Sequence, residues 1–300
     1  MSSLNDPLVH PVFKAMVQYR PQLAALAELG DDDGEIDVRL LGDQVIRNFP
    51  WPIGIEVRRL LGGAMREPDR RRLDQIFRTF ERSVQFLAFI MLAQLWKARR
   101  EDPFPLPASF VNEFQRRVPM VSLGNLTWMV RQFARVWKST GKVWPVVELG
   151  DLVTDRFCDA LDGWVPERNE MGHYQVNLTA EEVQRRCVMA NDRLSNLLVA
   201  LAFLVRYKLI SSPLSADDGS VSPIHTVALV RGTKVDPVLL SPLIIEVRTS
   251  SALQGSLFSK FRSGRIYFSG SEATERTDLG SLGGYPILVS GFEEMLAAFR

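Results

Sequence analysis

Histidine and cysteine, two residue types that often carry nucleophilic or metal-binding chemistry, are scarce in this sequence. Its 300 residues include three histidines and two cysteines. Cys158 and Cys187 form no CxxC pair, and both lie in apolar patterns with helical spacing. A disulfide or a zinc site is therefore not expected, and the two thiols are predicted to be reduced and buried.

Long apolar segments are also lacking. The first residues, MSSLNDPLVHPVF, have neither the basic segment nor the apolar run of a secretory signal. The longest apolar run, residues 86–96, is interrupted by Gln94 and is shorter than the roughly 20 residues that span a bilayer. The sequence therefore predicts a cytoplasmic protein without a membrane partner.

Neither sign of charge is in excess, and the familiar cofactor motifs are missing. The formal net charge is +1 and the isoelectric point is near 7.8, so an RNA partner would need a local basic patch. No GxxxxGK[ST], GxGxxG, HExxH or GxSxG motif occurs, and residues 31–33, three successive aspartates, lack the spacing of a calcium loop. No cofactor and no metal are expected.

The sequence does contain helical patterns. It is 46% hydrophobic and 24% charged, which is typical of a globular protein with one large core or two modest ones. Apolar residues at steps of three and four predict helices over these ranges: 7–29, a short helix that ends at Gly62-Gly63, 68–100, 108–117, 123–138, 146–161, 167–174 and 179–210. Ser122 and Thr179 are predicted N-caps, the latter in capping-box register with Glu182.

The helix over 68–100 is predicted to be a central core helix. Glu81 lies on it among apolar neighbours. This carboxylate has two possible roles: it is either exposed at the flank of the helix, as most carboxylates are, or it supports a functional site beside the helix.

The pattern changes after residue 210. A polar linker over 211–220 is followed by three short β-branched or aromatic runs, at 226–230, 243–247 and 265–268, and then by a possible short helix over 292–299. The predicted fold class is mainly α. We expect a helical bundle over 1–210 and a small β-rich module over 222–300 that regulates or recruits through a regulatory protein or a ligand.

One histidine, His173, has neighbours that could support chemistry. Pro166 and Glu167 are typical of the first turn of a helix. On that helix Asn169 and His173 are four residues apart and share a face, and Arg168 can extend its long side chain toward them. An imidazole to move protons, a guanidinium to hold a phosphate and an amide to orient both are the groups that metal-free RNA cleavage needs.

The segment Arg168-Asn169-Glu170-Met171-Gly172-His173 resembles the Arg-Asn-x-x-x-His signature of HEPN domains. The segments FPWPIGIEVRRLL, FERSVQFLAFIMLAQL, SLGNLTWMVRQF and WVPERNEMGHY occur in this order and resemble the helical modules of bacterial conflict and signalling proteins, so the likeness covers roughly residues 45–210. A three-position motif is weakly specific by itself, and its helical context strengthens it.

The resemblance implies a HEPN-like helical bundle and a metal-independent endoribonuclease, a defence or toxin-like effector with RNA as its substrate. It implies that Arg168, Asn169 and His173 are the catalytic residues and that cleavage leaves a 2′,3′-cyclic phosphate. It also implies a homodimer whose interface includes the helix over 167–174. Gly172, which has no side chain, would allow another backbone to approach closely there.

Two alternatives remain at this point. The first is a noncatalytic HEPN-like module for dimerisation or protein interaction, and the second is an unrelated helical protein. The other histidines, His10 and His225, lie far from any partner motif. Each of them is expected to be an ordinary residue of the surface or of a strand.

Overall fold

The computed structural model describes residues 4–27, 37–117, 122–173 and 178–213 and six shorter segments: 224–231, 238–239, 245–247, 258–262, 265–269 and 286–287. Helices account for most of the described residues between 4 and 206. The mainly α fold class is therefore confirmed for this part of the chain.

Eleven α-helices are present in the described residues. They are α1 Asp6–Tyr19, α2 Ala24–Ala27, α3 Val38–Asn48, α4 Trp51–Leu61, α5 Arg70–Glu101, α6 Ala108–Arg117, α7 Leu123–Thr140, α8 Leu149–Leu152, α9 Asp155–Asp162, α10 Trp164–His173 and α11 Ala180–Ala200. Three 3₁₀ helices cover Pro21–Leu23, Gly63–Met65 and Ala202–Arg206.

Short strands follow the last helix. They are β1 Tyr207–Pro213, β2 Ile224–Arg231, β3 Val238–Leu239, β4 Ile245–Val247, β5 Phe258–Arg262, β6 Arg265–Ser269 and β7 Pro286–Ile287. The first four belong to one sheet, in which β2 pairs antiparallel with β3 and β4, and β5, β6 and β7 belong to another. The predicted runs at 226–230, 243–247 and 265–268 overlap β2, β4 and β6.

Several predicted helix bounds are confirmed, and so are both caps. The helices α5, α6 and α7 match the predicted ranges to within about two residues. The hydroxyl of Ser122 accepts a hydrogen bond from the backbone N–H of Asn125, and that of Thr179 accepts one from the N–H of Glu182. These caps depend only on neighbouring residues, which explains why the sequence reveals them.

Other predicted bounds are wrong. The helix over 7–29 ends at Tyr19, because Pro21 begins a 3₁₀ turn. The helix over 146–161 is divided at Thr154, whose hydroxyl caps α9. The helix over 179–210 ends at Ala200, and β1 occupies the first three residues of the predicted linker. Helix α3, capped by Asp37, was not predicted, and the predicted helix over 292–299 lies outside the described residues.

The chain divides into two compact units. One comprises Met1–Ser83 and Trp164–Lys208, and the other comprises Val84–Gly163 and Leu209–Arg300. In the first unit α1 packs against α3 and α11, and α3 packs against α4. In the second unit α7 packs against α6 and α9. The predicted boundary near residue 210 and the separate module over 222–300 stay predictions.

The middle of helix α5 is deeply buried, which agrees with the prediction of a core helix. All eight residues from Phe86 to Ala93 are at most 2% exposed, so this stretch is buried on every side, unlike the amphipathic helices of a protein surface. Within the described residues, no helix is long and apolar enough to cross a membrane.

Both cysteines are buried free thiols, as predicted. The thiol of Cys187 donates a hydrogen bond to the backbone oxygen of Asp69, 3.2 Å away. Burial raises the pKa of Cys187 to about 11. A protonated thiol is a weak nucleophile, so Cys187 has a structural role.

Helices α3 and α4 approach closely at Gly54. A Cβ atom placed there would lie 2.5 Å from the backbone oxygen of Ile46. Gly54→Ala should therefore lower the free energy of unfolding by about 2 kcal/mol, because the obstructing atom belongs to the backbone and cannot rotate away. Urea-induced unfolding followed by circular dichroism measures this loss.

Gly150→Ala is the matched control for this prediction. Gly150 also lies in a helix, α8, but a Cβ atom there would meet nothing within 4 Å. Alanine should leave the stability unchanged or raise it by up to about 1 kcal/mol, since it favours helix over coil. Equal midpoints for the two variants would contradict the close approach at Gly54.

Candidate functional site

Helix α10 carries the Arg-Asn-x-x-x-His motif and begins three residues earlier than predicted, at Trp164. Pro166 is its third residue, within the first turn, where a missing N–H costs no hydrogen bond. The helix ends at His173, one residue before the predicted end.

Trp164 anchors the start of α10 on α5. Its ring is 3% exposed and stacks on Phe80 with the ring centroids 3.9 Å apart. Phe77 meets the same indole edge-on, with a centroid distance of 5.4 Å. Such aromatic pairs each contribute about 0.5–1.5 kcal/mol beyond the area they bury, so the motif starts from a firmly held turn.

Two ion pairs join α10 to α11. Glu167 pairs with Arg193, and Glu170 pairs with Arg186 at 3.2 Å. Arg186 also binds Glu182 at 2.8 Å, and this hydrogen bond lowers the pKa of the Glu182 carboxyl. Neither ion pair is predicted from the sequence. The spacing of Glu167 and Glu170 indicates a common face, but it does not reveal which arginines lie opposite.

Arg168 lies beside α5, where its Nη2 atom is 3.9 Å from Oε2 of Glu81. The Arg168 side chain is 48% exposed and that of Glu81 is 32% exposed. Glu81 is thus partly exposed at the flank of α5 and also lies next to the motif. Ion pairs with such exposed side chains and such a long N–O distance contribute about 0–1 kcal/mol to stability. Arg168 is therefore only loosely held.

Asn169 is exposed on α10. The sequence position of His173, four residues later, lies on the same helical face. The side chain of His173 lies outside the described residues, as does that of Met171. The structure therefore brings Arg168 and Asn169 together on one exposed helix and leaves the placement of the imidazole untested.

A cleft of about 230 Å³ lies next to the motif, between α5, α10 and α11. It is lined by Leu73, Phe77, Glu167, Glu170, Glu182, Arg185, Arg186, Met189 and Ala190. Its three carboxylates outnumber its two guanidinium groups, and all of these charges take part in ion pairs. With Arg193, the partner of Glu167, counted in, three carboxylates face three guanidinium groups, so this cleft has no excess positive charge to attract a strand of RNA.

No metal-binding group is evident in the described part of the chain, because no three His, Cys, Asp or Glu side chains there lie close enough to hold an ion. No family model, curated protein or solved structure matches this chain. Its function is therefore inferred from the residues of α10 and their contacts.

Proposed function

We propose that the protein is a metal-independent endoribonuclease of the HEPN type, a cytoplasmic defence or toxin-like effector. Arg168, Asn169 and His173 are its proposed catalytic residues. The observation that supports this best is the exposure of Arg168 and Asn169 on a helix that Trp164 and two ion pairs hold in place. A rigid helix that presents polar groups to solvent suits a site where the substrate must be oriented.

The proposed reaction is an intramolecular transesterification. The ribose 2′-oxygen attacks the adjacent phosphorus, its proton passes to an imidazole, and the bond from phosphorus to the 5′-oxygen breaks as that oxygen gains a proton. Arg168 stabilises the charge that develops on the phosphoryl oxygens, and Asn169 orients the site. The products are a 2′,3′-cyclic phosphate and a 5′-hydroxyl.

Glu81 does not prevent Arg168 from binding a phosphate. The present ion pair is 3.9 Å long and partly exposed, which limits its contribution to about 1 kcal/mol. A well-formed hydrogen bond to a charged group contributes about 1.5–3 kcal/mol. The phosphate is therefore the stronger ligand and can displace the weakly bound Glu81 from the guanidinium.

The experiment that tests this function is an RNA cleavage assay on the purified full chain in excess EDTA. Cleavage should persist, because imidazole and guanidinium supply the chemistry that a metal ion would otherwise supply. The new ends should carry a 2′,3′-cyclic phosphate, which acid treatment opens and a phosphatase does not remove. Cleavage that requires a divalent ion would refute the proposed mechanism.

The proposed enzyme is a homodimer whose interface includes the helix over 167–174. Gly172 permits a close helix approach there, and a symmetric dimer brings two copies of the motif together. Sedimentation velocity at micromolar concentration should give the mass of two chains. A monomer would contradict the proposal that two copies of the motif come together in one site.

The second candidate is a noncatalytic HEPN-like module for dimerisation or protein interaction. One observation favours it: Arg168, Glu167 and Glu170 all have partners within their own chain, so they do not need a substrate to balance their charge. A dimer that cleaves no RNA under any condition would support this candidate.

We also propose that residues 222–300 form a small β-rich module that regulates the enzyme or recruits a partner protein or ligand. The antiparallel pairing of β2 with β3 and β4, and of β6 with β5 and β7, supports a β-rich character. The sequence of that segment contains no histidine other than His225.

A further inference from the structure

A second cleft, which we call the arginine cleft, lies in the first unit between α1, α3 and α4. Its volume is about 290 Å³. The exposed side chains of Arg39, Arg58 and Arg66 line it together with aliphatic residues, of which Val9 is buried and Ile46 and Leu61 are half-buried. The cleft therefore has positively charged side chains at its opening and aliphatic side chains at its base.

Among the residues that the structure describes, the three arginines have no counterion. Within the described residues, none of their guanidinium groups takes part in an ion pair or a side-chain hydrogen bond. The adjacent Arg59, by contrast, binds Glu56 at 3.0 Å. One carboxylate, Asp43, also lines the cleft, so three positive charges and one negative charge leave a balance of +2. Positive charges gathered in one cleft attract an anion.

A buried guanidinium supports the wall of this cleft. Arg72 is fully buried, and its Nη1 atom donates hydrogen bonds to Oδ1 of Asn5 at 3.0 Å and to the backbone oxygen of Met65 at 2.6 Å. Asn5 lines the cleft, and Met65 precedes Arg66. In the part of the chain that the structure describes, the guanidinium of Arg72 forms no ion pair with a carboxylate, and its Nε has no hydrogen-bond partner.

We propose that the arginine cleft binds a small phosphorylated molecule. Arg39, Arg58 and Arg66 hold the phosphate, for which planar guanidinium groups are well matched. The apolar base covers the organic part of the ligand, and Asp43 accepts a hydrogen bond from a hydroxyl or amine on it. The volume is near the lower end of the range for small-molecule pockets, about 300–1,000 Å³, which favours a monomeric ligand over a nucleic acid strand. This site is separate from the motif on α10 and does not depend on RNA cleavage.

Isothermal titration of the full chain tests the site with two probes, inorganic phosphate and phenyl phosphate. Phenyl phosphate should bind several times more tightly, because its ring covers the aliphatic base. Arg58→Ala should weaken the binding of both probes by about tenfold or more, since it removes a charge-assisted contact. Asp43→Asn should strengthen the binding of inorganic phosphate, because it removes a negative charge that repels the phosphate.

Arg59→Ala is the matched control, because Arg59 is the chain neighbour of Arg58 but does not line the cleft. It should bind both probes as the unmodified protein does. Arg39→Ala and Arg66→Ala provide independent tests if Arg58→Ala fails to fold. Absence of phosphate binding at millimolar concentration would overturn the proposal, as would equal losses in Arg58→Ala and Arg59→Ala. A short RNA that binds in an Arg58-dependent manner while phenyl phosphate does not would also overturn it and identify a nucleic acid surface.

Discussion

RNA cleavage by His173→Ala is expected to be about 10²–10⁴ times slower than cleavage by the unmodified protein, because the substitution removes the group that moves protons. Arg168→Ala should cause a comparable loss, since the transition state then lacks its positive charge. Single-turnover rates at saturating protein, measured in EDTA, isolate the chemical step from RNA binding.

Two controls distinguish loss of chemistry from loss of fold. His10→Ala removes another imidazole, an exposed one on α1, and Arg135→Ala removes an exposed guanidinium on α7. Both variants should cleave RNA at the unmodified rate. An unchanged cleavage rate in His173→Ala would mean that the resemblance of the motif is a coincidence. The noncatalytic module would then be the better interpretation of α10.

The second large effect is expected at Trp164, the residue that anchors α10. Trp164→Ala should lower the free energy of unfolding by about 3–5 kcal/mol, because it opens a cavity beside Phe77 and Phe80 and removes both ring contacts. Chemical unfolding followed by near-ultraviolet circular dichroism measures the loss.

Trp164→Phe is the matched variant for this prediction. It retains a ring that can stack on Phe80, so it should be clearly more stable than Trp164→Ala. If α10 requires this anchor to present its motif, RNA cleavage should follow the same order as stability. Unfolding midpoints for Trp164→Ala that equal those of the unmodified protein would contradict the anchoring role.

Much of the helical structure could be predicted because its causes lie within a few residues. The apolar steps of α5 continue from Leu73 to Trp96, about six turns. The caps at Ser122 and Thr179 need only the N–H group three residues later. The breaks were harder to predict. Apolar spacing continues across Pro21 and Thr154, but one residue starts a 3₁₀ turn and the other caps a new helix.

The candidate site could be predicted only in part. The spacing of Arg168, Asn169 and His173 indicated a helix with one polar face, and the structure places the first two on exposed parts of α10. The sequence left the role of Glu81 open between two alternatives. Its neighbour Arg168 is 87 residues away in the chain, and no local pattern encodes a contact of that separation.

The sequence by itself determined where most of the helices lie, though not α3, and which residues are candidates for chemistry. Hydrogen bonds and caps within a helix involve near neighbours. Only the tertiary structure decided what each helix faces. It places Trp164 against Phe80 and Glu170 against Arg186, and it gathers around one cleft three arginines that have no ion pair among the described residues. The physical reason is that side-chain packing and charge pairing depend on distances through space. These distances follow from how helices far apart in the chain bury their apolar surfaces together.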